Sequence, residues 1–336
     1  MNTHSASLAR ETRGTRGTHG RYDVVVVGGG AAGLSAALVL GRARRSTLVV
    51  DAGAPRNAPA AHMQGYLSRD GMSPAEFLEA GRREIAAYGV EWTAGEVVAA
   101  APDGGGAVGF TVTLADGRTV RARRLVVTTG LVDELPPLDG VAERWGRDVL
   151  HCPYCHGWEV RDQAFGVVAH PVMGAHQALL VTQWSDDVVF FPHTYDAVTD
   201  EDRLRLAAAG VRTVEGEVAG LEVEGDRLTG VRMADGRVVE RSVLFVGTVV
   251  TPRDGLLTAL GAATEETPMG RFVTVDPTGR TSVPGVWAAG NAIGAAEQVV
   301  NAASGGYRAG AILNMDLLNE DLDRKTTAAA EAVAAV

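Results

Sequence analysis

Short apolar runs, most of them continuous rather than alternating, punctuate the chain at residues 22–27, 47–50, 125–128, 165–168, 188–191 and 243–246. Valine-rich runs of this length predict strands buried on both faces of a parallel sheet. Residues 34–40 and 175–184 carry apolar side chains at helical spacing between such strands. Strands alternating with helices predict an α/β fold. The plan also recurs. Gly89-Val90, Gly95-Glu96-Val97 and Ala115-Asp116-Gly117-Arg118 precede the strand 125–128, and Gly210-Val211, Gly216-Glu217-Val218 and Ala234-Asp235-Gly236-Arg237 precede the strand 243–246. Each half reads as a βαβ start, a β-meander with an Asp-Gly turn and a final strand. The expectation is an internal duplication of a three-layer (ββα) Rossmann-like dinucleotide-binding fold, with the second copy beginning near residue 164.

The first copy carries a phosphate-binding turn. Its strand ends in Gly28-Gly29-Gly30-Ala31-Ala32-Gly33, a helix follows, and the next strand closes on Asp51. In that context Gly28 permits the tight turn, Gly30 lets backbone approach a pyrophosphate, and Gly33 lets helix pack on strand. The N–H groups at Ala31 and Ala32 then face the phosphates, and Asp51 is set to accept from ribose hydroxyls. The second copy departs from this. Its strand 165–168 runs into Ala169-His170-Pro171-Val172-Met173-Gly174, with Ala169 and Pro171 at the first two glycine positions. Proline offers no N–H and its ring fills the phosphate's space. After strand 188–191 come Pro192, His193, Thr194 and Tyr195, with no Arg or Lys for a 2′-phosphate.

Charge and composition narrow the class. The 336 residues are 46% hydrophobic and 21% charged, with a net charge of −10 and no long Lys/Arg run, which argues against nucleic acid or an anionic membrane as partner. No apolar stretch reaches the roughly 18 residues that span a bilayer. Residues 1–20 read as a disordered tail without the apolar centre of a secretion signal, so a cytoplasmic location is expected.

The two cysteines stand at Cys152 and Cys155, in His151-Cys152-Pro153-Tyr154-Cys155-His156. A Cys-x-x-Cys opening a helical turn brings two sulfurs within disulfide reach and lowers the first thiol's pKa, and His156 first, then His151, is the expected base that deprotonates thiols near neutral pH. Zinc is the rival reading, disfavoured because no second Cys/His pair accompanies this one. We expect no metal. Near the C-terminus, a strand runs into Gly290-Asn291, and Gln298-Val299 opens a helix running past Gly305-Gly306 toward residue 318. A helix start there would stabilise negative charge on a bound group. Thr128-Thr129-Gly130 is a further strand end that permits close backbone approach.

Together, residues 28–33, Thr128-Thr129-Gly130, the Cys-x-x-Cys at 152–155 and the stretch from Gly290-Asn291 to Gln298 resemble the low-molecular-weight thioredoxin reductase family over residues 21–318. The resemblance implies FAD as cofactor and a homodimer. It also implies an FAD domain split in sequence (21–132 and 249–318) around a degenerate NAD(P)-type domain (133–248) carrying the cysteines, with residues 319–336 as a tail. In that family Cys155 would face the flavin, Cys152 would exchange with substrate, and residues 55–73, with His62, would run near the flavin. The chain departs at His156, where the reductases have Asp, and at Asn291, where they have Asp. Cys-Pro-Tyr-Cys-His-Gly-Trp-Glu with a glycine-less second loop is more similar to the dithiol oxidases of disulfide natural products such as holomycin and gliotoxin. That branch implies a small-molecule dithiol and O2 as partners. The alternatives are a thioredoxin-like disulfide reductase using NADPH or ferredoxin, and a flavin-loaded protein that sequesters a dithiol.

Overall fold

The computed structural model describes residues 20–104 and 108–334, so nearly all of the expected N-terminal tail lies outside the described residues. Two parallel sheets form the framework. In the first, the strands Glu91–Ala94, Thr47–Asp51, Arg21–Val27 and Thr119–Val127 lie side by side, all parallel. Thr119–Val127 is long enough to serve two neighbours on its other edge. Its first half pairs antiparallel with Phe110–Leu114 of a meander, and Leu125 to Val127 pair parallel with Val286–Ala288. In the second sheet the parallel order is Arg212–Thr213, Val188–Phe191, Phe165–Val168, Val243–Val246 and Val149–Leu150. An antiparallel meander of Val218–Glu224, Arg227–Met233 and Val238–Glu240 accompanies it.

The alternation of side chains produces three layers from each sheet. Val24 and Val26 face the helices, packed with Leu34, Ala37 and Leu40. Val25 and Val27 face the meander, packed with Phe110, Val112 and Leu114. The second copy repeats this, with Phe165 and Val167 toward Ala178 and Val181, and Val168 toward Leu228, Val231 and Met233. The expected α/β architecture of two Rossmann-like units is therefore the one observed. The helix over 175–184 is shorter than its pattern implied, His176–Val181, and Thr182 at its end donates its hydroxyl to the Leu179 carbonyl at 2.7 Å. The chain crosses between the sheets at one antiparallel pair, Leu131–Glu134 with Val249–Pro252.

The C-terminal helix, Val299–Ala334, requires a correction. A tail was expected from residue 319, yet the helix runs on without glycine or proline after Gly310. Its later carboxylates hold the first sheet, Asp321 binding Arg45 at 2.8 Å and Arg123 at 2.7 Å, and Asp316 binding the buried Arg124 at 2.6 Å. Earlier in the helix, Gly306 and Gly310 lie on the backbone at Ala32 and Ala36, where a Cβ at Gly306 would collide with the Ala32 carbonyl. That close approach fixes the C-terminal helix against the helix Ala31–Arg42, which opens the glycine turn.

Candidate redox site

The glycine turn is built as a cradle. Gly28 has φ +103°, and a Cβ there would strike the Thr128 carbonyl. Thr128 Oγ1 donates to the Gly28 carbonyl at 2.9 Å. A Cβ at Gly33 would run into that same carbonyl, so helix and strand touch through backbone alone. At Gly30 a Cβ would meet no atom within 4 Å, which leaves open space over the turn. The first intrahelical bond runs from Leu34 N–H to the Gly30 carbonyl at 2.9 Å, so the N–H groups of Ala31, Ala32 and Gly33 precede the ladder. A pyrophosphate needs this shape and these donors, and the residues fit FAD. Asp51 shapes the turn as well, its Oδ1 accepting from Gly29 N–H at 3.1 Å and Gly53 N–H at 3.3 Å.

The C-terminal helix carries this cradle to the cysteines. Gly290, at φ +69°, sits where a Cβ would be 3.1 Å from Ala32 Cβ. Asn291 donates its amide to the carbonyls of Gly294 (2.9 Å) and Ala295 (3.2 Å), a role a carboxylate cannot fill. Cys152 and Cys155 are joined as a disulfide, their Cα atoms 5.3 Å apart across the turn Pro153–His156. Gln298, just before the helix, faces both sulfurs, Oε1 at 3.3 Å from Cys155 Sγ and Nε2 at 3.5 Å from Cys152 Sγ. Thus residues 28–33, 290–291, 298–299 and 152–155 converge along one helix. Thr129 and Gly130 follow Thr128 into the crossing pair, with Thr129 Oγ1 donating to the Arg253 carbonyl at 2.6 Å and Arg253 N–H to the Gly130 carbonyl at 2.9 Å. His62 is at the exposed surface.

The two histidines beside the cysteines differ. His151 Nδ1 lies 3.2 Å from the Val246 carbonyl. Donation there places the ring's lone pair on Nε2. Both ring nitrogens of His156 are buried without a partner. Burial lowers the pKa of each. His151 thus has one ring nitrogen engaged by a carbonyl, while His156 has neither engaged. Sequence reasoning missed the groups around His151. Gln177 donates to its carbonyl at 2.6 Å, and Asp133 lies beside it, bound by both nitrogens of the Arg56 fork (2.7 and 2.8 Å) and by Thr248 Oγ1 (2.8 Å). No local pattern announces such contacts, which depend on how the two sheets meet.

The second glycine-turn position is built differently from the first. His170 accepts from Val172 N–H through Nδ1 at 3.3 Å, and Gly174 N–H donates to the His170 carbonyl at 2.7 Å. The loop thus folds onto itself. The His170 ring packs on Gly247, where any Cβ would collide with it. His193, in the stretch after the following strand, accepts from Val218 N–H at 2.9 Å. Among the described residues, no group of three or more His, Cys, Asp or Glu is arranged to hold a metal ion, and no helix is long and apolar enough to cross a membrane.

Burial lowers the pKa of His151, His156, His170 and His193 alike. Each folded value lies below the unfolded value of about 6.5, so protonation favours the unfolded chain. Stability is therefore complete above pH 6.5, falls as pH drops through the lowered folded values, and levels off beneath them. Urea midpoints measured at pH 7.5, 6.5 and 5.5 are expected to decline across the lower interval. A flat series would show that these rings are not held neutral.

Comparison with known proteins gives a consistent picture. Residues 22–306 match the family described as pyridine nucleotide-disulphide oxidoreductase. The chain is 32% identical over 314 residues to the thioredoxin reductase tcpT of Claviceps purpurea, covering 88% of this chain and 94% of that one. It is 30% identical over 315 residues to the thioredoxin reductase sirT of Leptosphaeria maculans, covering 90% and 96%. Among solved structures it resembles the crystal structure of HlmI, with a TM-score of 0.89 and 52% identity over 94% of this chain and 98% of that one. An oxidoreductase from Agrobacterium tumefaciens follows, with a TM-score of 0.83 and 37% identity over 89% and 99%.

Proposed function

The chain belongs to the pyridine nucleotide-disulphide oxidoreductase family and is a flavin-dependent thiol/disulfide oxidoreductase with FAD as its cofactor; from this premise we propose that it oxidises a small-molecule dithiol to a disulfide, with O2 as final oxidant. One observation carries the direction. A disulfide lies flanked by the exposed side chains of Tyr154 and Trp158, while in the second nucleotide turn Pro171 has no N–H to offer and the Val172 N–H is taken by His170 Nδ1. A turn so poorly furnished for a phosphate supports the reading in which electrons enter from the substrate rather than from NADPH.

A substrate thiolate attacks Cys152 Sγ, the bond to Cys155 breaks, and a mixed disulfide forms. The substrate's second thiol then attacks its own bound sulfur, expels Cys152 and leaves as the product disulfide. His151 serves as base, its lowered pKa keeping the ring neutral at pH 7 so that Nε2 can accept a thiol proton. When bound, FAD supplies the two-electron acceptor for the reduced cysteine pair, with hydrogen peroxide as the product from oxygen. The glycine cradle orients that cofactor, and the start of the C-terminal helix holds Gln298 against the sulfurs.

Mixing the FAD-loaded protein with a small dithiol in air, without nicotinamide, is expected to consume O2 and release peroxide over many turnovers per flavin. One equivalent of disulfide followed by arrest would indicate sequestration instead. A strict requirement for NADPH would make the protein a reductase and end this reading.

A further inference from the structure

Three consecutive residues at the end of the strand Val243–Val246 each engage one polar group. The Val246 carbonyl lies 3.2 Å from His151 Nδ1, the His170 ring packs on Gly247, and Thr248 Oγ1 donates to Asp133 at 2.8 Å. Asp133 thus stands at the same strand end as His151. Arg56 arrives from the stretch after the strand Thr47–Asp51 and closes a fork on the carboxylate, Nε to Oδ2 at 2.7 Å and Nη2 to Oδ1 at 2.8 Å. Its other terminal nitrogen donates to the Ala295 carbonyl at 3.0 Å, just before Gln298. Both side chains are mostly withdrawn from water, so solvent screens their charges little.

Burial pushes the Asp133 carboxyl up, but the Arg56 fork and Thr248 hold it below the usual carboxylate range, so it is ionised at neutral pH. A carboxylate beside an imidazole draws a proton onto the ring, and a guanidinium opposes it. Burial favours the neutral form of His151, and on that background Asp133 and Arg56 act in these two opposite senses.

We propose that Asp133 and Arg56 are positioning residues that act on His151 as opposed charges, Arg56 offsetting the carboxylate so that the ring waits neutral for a thiol proton. The consequence rests on the role of His151 as base in the dithiol reading. With the fork closed, Nδ1 donates to the Val246 carbonyl and Nε2 keeps its lone pair. When Nε2 takes a proton from a substrate thiol, the thiol becomes the attacking thiolate and the ring becomes a cation. A carboxylate is already in place beside that cation, so no group has to move to receive it. Without Arg56, the carboxylate would hold a proton on the ring beforehand. Without Asp133, the guanidinium would oppose the cation that the transfer creates.

The other groups around His151 do not duplicate this pair. His170 Nδ1 accepts from Val172 N–H at 3.3 Å, and burial moves its ring toward the neutral form. Burial does the same for His156 in the cysteine segment. Glu134, next to Asp133, is exposed and accepts from Thr251 Oγ1 at 2.6 Å. Gln177, which holds the His151 carbonyl, is uncharged, and the cysteines are joined as a disulfide.

The test reads the ring itself. The oxidised, FAD-loaded protein, isotopically labelled at histidine Cε1, is titrated by NMR from about pH 4.5 to 8.5, the range in which imidazole changes charge. His151→Gln identifies the His151 signal among those of the eight histidines. Wild type is expected to titrate below the roughly 6.5 of a free imidazole. Arg56→Gln is expected to raise the His151 midpoint by about one unit, the low end of what a nearby opposite charge does. Arg56→Lys keeps the charge without the fork and should return most of that shift. Asp133→Asn is expected to move the midpoint down by a similar amount. Mere loosening of the loop would expose the ring and raise the midpoint in both variants, whereas opposed charges move it in opposite directions. Shifts of the same sign in Arg56→Gln and Asp133→Asn, or no shift in either, overturn the assignment. The dithiol reading is judged separately by oxygen uptake, so a protein that titrates as expected yet consumes no O2 would lose that reading and keep this one.

Discussion

Cys155→Ser is expected to abolish dithiol-dependent oxygen uptake, with a fall of at least about 10³-fold, because a nucleophile acting within a paired unit is not replaced by its neighbours. Serine is nearly the same size and sits in the same turn, so the fold around Pro153–His156 should survive. What is lost is the bond itself, since no disulfide can form within the protein and electrons have no route out of a substrate thiol. The variant keeps one diagnostic reaction. Its Cys152 thiol can still attack a preformed substrate disulfide, and with no Cys155 to resolve the product a mixed disulfide should persist, visible as one added substrate in the intact mass. Cys152→Ser should lose uptake equally but accumulate no such adduct if Cys152 is the exchanging sulfur. His151→Ala should fall less, by roughly 10²-fold, the lower range for a general base. Oxygen uptake by Cys155→Ser within tenfold of wild type would remove the cysteine pair from the chemistry.

Much of the framework was legible because it rests on local pattern. Continuous valine runs can be buried on both faces only in a parallel sheet, and glycines at 28, 30 and 33 suit only a turn where backbone must approach backbone or ligand. The proline at 171 was equally readable, since the absence of its N–H does not depend on context. The less legible features were set by distant partners. His170 looked like one more loop residue until its ring lay on Gly247, 77 positions along the chain. Gln298 read as a flavin contact at a helix start, yet it reaches sulfurs 143 and 146 residues earlier. The helix beyond residue 318 was read as a tail because Asp321 and Glu320 find Arg45, Arg123 and Arg124 only after the sheet has formed.

Gly33→Ala and Gly30→Ala are expected to separate two requirements that the glycine turn combines. At Gly33 the new methyl would drive into the Gly28 carbonyl and lie 2.7 Å from Thr128 Oγ1. Neither can yield, since Thr128 is hydrogen-bonded to that carbonyl and Gly28 is itself pressed on Thr128. Relief requires separating the helix Ala31–Arg42 from the strand Arg21–Val27, an overpacking cost of about 1–3 kcal/mol. The apoprotein should therefore melt several degrees lower, at roughly 2–4 °C per kcal/mol for a chain of some size, and bind FAD poorly because the cradle has opened. At Gly30 the methyl meets no protein atom within 4 Å, and φ is −75°, which alanine adopts without strain. The apoprotein should melt as wild type. The methyl would occupy the space a pyrophosphate needs, and a clash of about 1–3 kcal/mol there is roughly ten- to hundredfold in affinity. Calorimetry of the apoproteins and fluorescence titration with FAD measure the two effects independently. If Gly30→Ala retains full affinity for FAD, the phosphates do not cross this turn and the cofactor must be placed elsewhere.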